Sequence, residues 1–250
     1  TAVMSAVFAV QKTDLKKLTA YSTVSHLGWI VATIGVGTPF AIAAALVHTL
    51  AHALFKSSIF MLIGVIDHEA GSRDIRRLGV LWNKMPWTFG SMVIGAASMA
   101  AVPPLLGFVS KEGMLTAFED APIGGAGQLV LLMVAAIGAF FTFTYSAKIV
   151  FGAFFDGPRN MSKVHEAPVR LWLPAALPGF MSLPLVFVLG KFDKPLDLMA
   201  GSVGMESHAH LSLWHGVNVP LVISVVVLIA GIAGIFIRKQ LWSAFEDTKL

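Results

Sequence analysis

Apolar residues occur along this chain in long blocks separated by short polar links. Several blocks reach the roughly 20 residues that an α-helix needs to cross a hydrocarbon core of about 30 Å. A membrane β-barrel would show alternating apolar and polar residues instead. The pattern therefore predicts an all-α, polytopic transmembrane helix bundle with about six to seven membrane segments. The blocks fall at about 1–10, 18–37, 40–66, 87–118, 127–155, 170–191 and 217–238.

The composition supports this class and excludes several others. Hydrophobic residues make up 56% of the 250 residues and charged residues only 13%, whereas a soluble domain has about 25% charged residues. The chain has no cysteine, so a disulfide framework and a cysteine-ligated metal site are excluded. No glycine-rich nucleotide-binding motif occurs either. We therefore expect no cofactor, no bound metal and no enzymatic activity.

The first ten residues, "TAVMSAVFAV", lead directly into a charged link. A signal peptide would carry a basic segment before its apolar segment, and this stretch has none. We expect it to be the end of a helix that starts earlier, and the chain to be a fragment of a longer protein.

The basic residues are distributed unevenly among the polar links. Of the 18 Lys and Arg residues, thirteen lie in the first, third and fifth links and the tail, and two lie on the opposite side. This asymmetry follows the positive-inside rule and predicts a multi-pass protein of the cell (plasma) membrane. The net charge of +4 is then explained by the orientation of the loops in the membrane. The expected partner is therefore the lipid bilayer and not nucleic acid. The predicted cytoplasmic segments are the loops 11–17, 67–86 and 156–170 and the C-terminal tail.

The block 87–118 is too long for one simple span and contains two consecutive prolines and a glycine. Pro103 and Pro104 lack backbone donors and disfavour helix before them, and Gly107 weakens helix further. The sequence predicts a broken helix near 103–109. Irregular backbone at membrane depth persists only where protein buries it or where it lines a watery cavity, and in transporters it often marks the ion site.

Three lysines and one acid lie inside apolar blocks: Lys56, Lys111, Lys148 and Glu112. A charge at mid-membrane costs at least about 2.5–3.5 kcal/mol on insertion scales, so these residues are functional candidates. Lys111 and Glu112 should lie at the start of the second half of the broken helix.

The segment "LVHTLAHALFKSSIFML" places His48, His52 and Lys56 four residues apart. Four residues of helix advance about 400°, so the three side chains share one face and span about 12 Å. Imidazole both donates and accepts hydrogen bonds and titrates near physiological pH. A lysine removed from water gives up its proton more readily. The pattern therefore suits a proton relay.

This line of residues has other interpretations. Each histidine can be an interhelical hydrogen-bonded contact, and Lys56 can extend to the membrane interface. His-x-x-x-His is also a metal-ligand spacing, but Lys56 on the same face would repel a cation and no third ligand is in register. The relay explains all three residues together.

The remaining candidates have structural alternatives. Lys111 can be solvated by a re-entrant loop, and Glu112 can simply pair with it. Lys148 lies eight residues before Asp156 and can extend to the interface. His26 has serine and threonine neighbours, which indicate a polar helix face. A histidine cluster in an outer link is interpreted as surface residues or a subunit contact: His208, His210 and His215.

Three motifs in order, "QKTDLKKLTAYSTVSHLGW", "HTLAHALFKSSIFMLIGVIDHEAGSRDIRRLGVL" and "PPLLGFVSKEGML", resemble the proton-pumping antiporter-like subunits shared by respiratory complex I and the Mrp cation/proton antiporters. Within that superfamily, "GVIDHEAGSRDIRRLGVL" and "LWHGVNVPL" resemble the large A subunit of Mrp-type Na⁺/H⁺ antiporters.

The resemblance implies two inverted five-helix repeats, each with a broken helix, and a hydrated chain of lysines and histidines. Residues 1–155 would be the second repeat without its N-terminal part, and 156–250 would add transmembrane helices and a cytoplasmic tail. By motif, the proton relay would comprise His48, His52, Lys56, Lys111 and Lys148. Many members of the family have an arginine at the position of Lys148.

The resulting hypothesis is a membrane subunit of a multi-subunit Na⁺ (or other monovalent cation)/proton antiporter. Its partners would be the other subunits of the Mrp complex. The transported ions would be protons and Na⁺. Protons would pass through Lys56, His52 and His48 towards Lys111. One alternative is a complex I subunit with the same relay, driven by quinone reduction. A second alternative is a structural scaffold subunit, with transport in other subunits.

Overall fold

The computed structural model describes residues 1–158, 160–191, 194–195, 198 and 216–246, which form nine α-helices and no strand. The all-α prediction is confirmed. The helices are α1 (Ala2–Gln11), α2 (Leu15–Ile34), α3 (Pro39–Ala70), α4 (Pro86–Met99), α5 (Leu106–Glu119), α6 (Gly125–Phe154), α7 (Val169–Phe187), α8 (Val219–Phe236) and α9 (Arg238–Glu246), with a short 3-10 helix at Leu189–Lys191.

Four of the described helices are long and apolar enough to cross a membrane on their own. They are α3, α6, α7 and α8, with 32, 30, 19 and 18 residues. Helix α2 has 20 residues but is less apolar, and α4 and α5 have 14 residues each. These shorter or more polar helices depend on their neighbours to cover their polar groups.

Side-chain caps decide where several helices begin. Asp14, Thr38 and Asn218 each accept a hydrogen bond from a backbone N–H in the first turn of α2, α3 and α8. Such caps satisfy donors that the helix itself leaves unpaired. Helix α3 ends at Gly71, whose φ of 66° lies in the left-handed region that favours glycine.

The fourth apolar block contains the predicted break, which lies at residues 100–105 between α4 and α5. It overlaps the predicted range 103–109, but it begins and ends earlier. The backbone before Pro103 is disfavoured from helix, so α4 stops ahead of the prolines. Helix α5 already includes Gly107, and Lys111 therefore lies in its second turn rather than at its first residues.

Two serines hold the break together. The backbone N–H of Leu106 donates to Ser182 Oγ of α7 at 3.0 Å, and that of Gly107 donates to Ser98 Oγ at 3.3 Å. The two hydroxyl oxygens are 2.7 Å apart. A side chain at residue 107 would overlap the Ser98 carbonyl, so glycine permits this close approach. Helix α7 thus completes the N-terminus of α5.

The loops predicted to share one side of the membrane lie together at one end of the bundle. Leu15 N donates to the Arg73 carbonyl and Ile75 N to the Thr13 carbonyl, both at 3.0 Å. Arg73 Nε also donates to Asp14 Oδ2 at 2.9 Å. The loop after α1 is therefore joined to the loop after α3.

Two further contacts complete this end of the bundle. Arg238 donates from Nε and Nη2 to both carboxylate oxygens of Asp156, at 2.8 Å each. The Glu166 carboxylate accepts from Trp87 N at 2.7 Å and so caps α4. We call this end, formed by the loops 12–14, 71–85 and 155–168, the basic end.

Candidate functional site

Helix α3 runs through the centre of the bundle, in contact with α2, α4, α5 and α7. Phe55 and Ile59 on it are fully buried. His48 and Lys56 are also buried, with 1% and 5% of their surface exposed, and His52 is partly buried. The polar residues predicted to share one face of α3 therefore point into the protein.

Four side chains from four helices form a continuous hydrogen-bonded chain. His48 of α3 lies at its middle, with Nδ1 at 3.0 Å from Ser110 Oγ of α5. The Nε2 atom of His48 is 3.1 Å from Nδ1 of His26 on α2. His26 Nε2 is in turn 3.1 Å from the Tyr145 hydroxyl of α6. Both nitrogens of both imidazoles are thus engaged.

His52 lies beside this chain without joining it. Its ring centroid is 5.4 Å from that of His26 and 5.6 Å from that of Phe55. Its Nε2 atom is buried and has no hydrogen-bond partner among the described residues. His52 therefore packs against His26 and Phe55 but stands outside the hydrogen-bonded row.

Lys56 points towards α2 and the end of α4. Its ammonium donates to Ser22 Oγ and lies 3.3 Å from Met99 Sδ. Met99 is the last residue of α4, and the C-terminal carbonyls of a helix carry a partial negative charge that favours a cation. The position of Lys56 beside the break explains how an ammonium is accommodated at the centre of the bundle.

Lys111 faces a small cavity beside the histidine pair. The cavity is lined by Lys111, His26 and His48 together with apolar side chains, and it measures about 20 Å³. That is room for about one water molecule. The Lys111 ammonium is buried and has no hydrogen-bond partner among the described residues. The cavity is therefore bordered by Lys111 and by both rings of the His26–His48 pair.

Glu112 points away from its neighbour Lys111. Successive residues of a helix differ by about 100° in direction, and Glu112 accepts a hydrogen bond from Ser224 Oγ of α8. The Lys111 ammonium has no hydrogen-bond partner among the described residues, so no hydrogen bond joins it to Glu112. Glu112 instead links α5 to α8.

Lys148 lies against α1 and α9. Its side chain is fully buried, Nζ donates to the Val10 carbonyl at 2.7 Å, and the ammonium lies 5.7 Å from the centre of the Trp242 ring. The Val10 carbonyl is one of the last four of α1, which have no partner within the helix. Lys148 therefore caps α1 at the end of that helix nearest the basic end of the bundle.

Several members of the site were not singled out from the sequence. These are Tyr145, Ser110 and Ser22. His26, a secondary candidate from the sequence, lies at the centre of the hydrogen-bonded row. The available signal for Tyr145 was weak: in "FTFTYSAK", a tyrosine stands three residues after a threonine inside an apolar block, which places both on one helix face.

In the part of the chain that the structure describes, no three His, Asp or Glu side chains are grouped in a way that could hold a metal ion. The two nitrogens of His48 are already occupied by His26 and Ser110. The outer-link histidines lie outside the described residues: His208, His210 and His215.

Apolar helices, a broken helix and a buried row of imidazoles and ammoniums define a class of protein, the polytopic membrane proteins that hold titratable groups within the bilayer. Residues 1–142 match the family described as "NADH:quinone oxidoreductase/Mrp antiporter, TM". The chain belongs to this family. The matched range contains His26, His48, Lys56 and Lys111 and ends within α6.

Curated relatives are longer than this chain. It is 40% identical over 256 residues to a probable K(+)/H(+) antiporter A/B subunit of Rhizobium meliloti, in an alignment that covers 98% of this chain and 25% of that protein. It is 37% identical over 270 residues to the A subunit of a Na(+)/H(+) antiporter of Alkalihalophilus pseudofirmus, in an alignment that covers 94% of this chain and 33% of that protein. The chain thus spans about a quarter to a third of the length of these relatives.

Two solved structures share the fold. A chain in the "Structure of Mrp complex from Dietzia sp. DQ12-45-1b" superposes with a TM-score of 0.87 at 44% identity, over 97% of this chain and 26% of that one. A chain of an archaeal respiratory membrane complex, the membrane-bound sulfane sulfur reductase, gives a TM-score of 0.70 at 27% identity. This match covers 94% of the present chain and 39% of that one.

Proposed function

We propose that this chain is part of a membrane subunit of a multi-subunit monovalent cation/proton antiporter, and that it carries protons along a relay of lysines and histidines. The observation that supports the relay most is the hydrogen-bonded pair of His26 and His48, with Lys111 at the adjoining cavity. Neutral imidazole accepts a proton on one nitrogen and releases one from the other. A buried pair of imidazoles can therefore pass a proton without keeping a charge.

The proposed path runs from Lys56 through His52 to the His26–His48 pair and on to Lys111. His26 enters the path because its ring lies 5.4 Å from that of His52 and its Nδ1 bonds to His48. Water completes the steps on either side of the pair, and the cavity beside Lys111 has room for about one molecule. The charge at each lysine biases the next step.

The distribution of basic residues and the names of the relatives support three further parts of the proposal: the membrane orientation, the exchanged ion and the partner subunits. The basic end is expected to face the cytoplasm from the plasma membrane. The relatives named for Na⁺ and for K⁺ support a monovalent cation as the exchanged ion, and the other subunits of an Mrp-type complex as partners. Residues 1–155 would form the second inverted repeat, and 156–250 would add membrane helices and a cytoplasmic tail.

The test is cation/proton antiport in inverted membrane vesicles that contain the full complex. Lys56→Ala and Lys111→Ala should each reduce antiport at least about 100-fold, the usual cost of losing a proton-transfer group. Lys111→Arg should be equally inactive, because a guanidinium does not release its proton. Complex assembly should remain normal in all three variants.

Lys17→Ala is the matched control, since Lys17 is an exposed lysine in the first turn of α2 and lies outside the relay. It should support normal antiport. Normal antiport by both alanine variants of the relay would contradict the proposal.

A redox-driven proton pump is the second candidate function, favoured by the likeness to an archaeal respiratory membrane complex. The same relay would then be driven by electron transfer. Proton movement that depends on Na⁺ or K⁺ and not on an electron donor distinguishes the antiporter. If the alanine variants lose assembly in step with activity, the chain is instead a structural scaffold.

A further inference from the structure

The Tyr145 hydroxyl has more than one partner and only one proton to donate. Its oxygen lies 3.1 Å from His26 Nε2 and 3.2 Å from Thr142 Oγ1. Thr142 donates its own proton to the Gly138 carbonyl at 2.8 Å, so its oxygen is free to accept. Tyr145 is fully buried, and Ser25 is a further side-chain neighbour of its hydroxyl, so the O–H group points either at His26 or away from it.

The first direction points the hydroxyl at His26. With Tyr145 donating to Nε2, His26 carries its proton on Nδ1 and donates to His48 Nε2. His48 then carries its proton on Nδ1 and donates to Ser110 Oγ. Ser110 donates to the Gly107 carbonyl at 3.1 Å. Every donor in the chain has an acceptor, and His48 offers a proton on the Lys111 side.

The second direction points the hydroxyl at Thr142 and reverses the whole chain. The Tyr145 oxygen now accepts from His26 Nε2–H. The free Nδ1 of His26 accepts from His48 Nε2–H. The Nδ1 atom of His48 is then an acceptor, which Ser110 satisfies with its hydroxyl proton. Every donor again has an acceptor, and His48 now accepts a proton on the Lys111 side.

We infer that Tyr145 is a positioning residue: through His26, its hydroxyl sets whether His48 gives or takes a proton at the Lys111 cavity. This inference rests on the proposed relay. Turning the hydroxyl exchanges a donor for an acceptor at His26 Nε2 and moves no proton off the tyrosine. The change from the first arrangement to the second passes one proton through the pair: a proton arrives at His26 Nε2 from the relay, the Nδ1 proton of His26 passes to His48 Nε2, and the Nδ1 proton of His48 leaves towards Lys111. Beyond Tyr145, the row of hydrogen bonds passes through Thr142 and ends at the Gly138 carbonyl. Tyr145 is therefore a switch for the relay and not an exit from it.

The titratable groups around His26 come from three helices. His48, His52 and Lys56 belong to α3, Tyr145 to α6, and Lys111 faces the shared cavity from α5. A change at Tyr145 should therefore alter the pH dependence of antiport, because it alters which nitrogen of His26 is available to these neighbours.

The experiment measures antiport against pH in vesicles that contain the full complex with Tyr145→Phe. The ring is kept and only the hydroxyl is lost. Antiport should fall about ten-fold or more, with a shifted pH profile and normal assembly. Tyr21→Phe changes the only other tyrosine of the chain, which is 38% exposed, and should match the wild type.

Thr142→Val provides a second test that leaves Tyr145 in place. It removes the oxygen that accepts in the second direction and should slow antiport, whereas Thr142→Ser keeps a hydroxyl and should restore it. A purely structural defect would lower the rate equally at every pH and would not separate valine from serine.

The two levels of the proposal fail differently. If Tyr145→Phe shows the wild-type rate and pH profile, or if Thr142→Val and Thr142→Ser behave alike, the role of Tyr145 is overturned while the relay stands. If Lys56→Ala and Lys111→Ala retain antiport, the relay itself is wrong.

Discussion

At the scale of single residues, the centre of the bundle is built from polar side chains that bond across helices. His26, His48 and Tyr145 are each at most 1% exposed, and a buried polar group without a partner typically costs about 1–3 kcal/mol. Their mutual hydrogen bonds remove that cost. The ammoniums of Lys56 and Lys111 differ from each other. Lys56 donates to Ser22, whereas Lys111 faces a cavity.

Lys148 should behave differently from Lys111 when either is replaced by arginine. Lys148→Arg keeps a cation that can donate to the Val10 carbonyl, so antiport should stay within about two-fold of wild type. Lys111→Arg should be inactive because a guanidinium does not release its proton. Both variants are measured in the same inverted vesicles. Loss of antiport in an assembled Lys148→Arg complex would place Lys148 among the proton carriers.

At the scale of helices, the break between α4 and α5 is shaped by residues from outside both. The first N–H groups of a helix have no partner within it, and at α5 one of these groups is satisfied by Ser182 of α7. The break is therefore a joint product of three helices. Its geometry determines where Lys111 lies, since Lys111 is in the second turn of α5.

Ser182→Ala should destabilise the break and lower antiport. It removes the acceptor for Leu106 N–H, and loss of such a cap costs about 0.5–2 kcal/mol. The melting temperature of the purified complex and the antiport rate are measured together. Ser57→Ala is the control, because Ser57 is exposed and donates to carbonyls of its own helix. Equal melting temperatures for the two variants would rule out the capping role.

At the scale of the whole molecule, ion pairs join loops that are distant in sequence at the basic end. Burial raises the pKa of Asp14, but hydrogen bonds from Arg73 and from two backbone N–H groups outweigh it, so its pKa lies below the ordinary value of 3.8. An acid with a lowered pKa stabilises the fold when ionised. This contribution is complete above the unfolded pKa and is lost as the pH falls through the folded pKa.

Asp14→Asn should lower stability at neutral pH by less than about 1 kcal/mol, because the pair with Arg73 is partly exposed. Asparagine is also a good N-cap, so the substitution tests the charge and not the cap. The difference in melting temperature from wild type should begin to shrink as the pH falls below about 4 and disappear below the folded pKa of Asp14. Asp120→Asn, at an exposed site after α5 where the carboxylate lies beside the like charge of Glu119, should show no loss of stability; a pH-independent loss for Asp14→Asn would contradict the argument.

The sequence by itself determined the class of fold and one face of the site. Runs of apolar residues specify helices in a bilayer, two prolines specify a break, and a four-residue period places His48, His52 and Lys56 on one side of α3. All of these are local properties, because they follow from the geometry of a single helix.

Only the tertiary structure decided which polar groups meet. Tyr145 bonds to His26 across 119 residues, and Ser182 meets Ser98 across 84. The position of each helix relative to its neighbours sets such contacts, and periodicity along one helix carries no information about it. For the same reason, Lys148, which looks like a relay lysine in the sequence, is found at the end of α1, whereas His26 lies at the centre of the site.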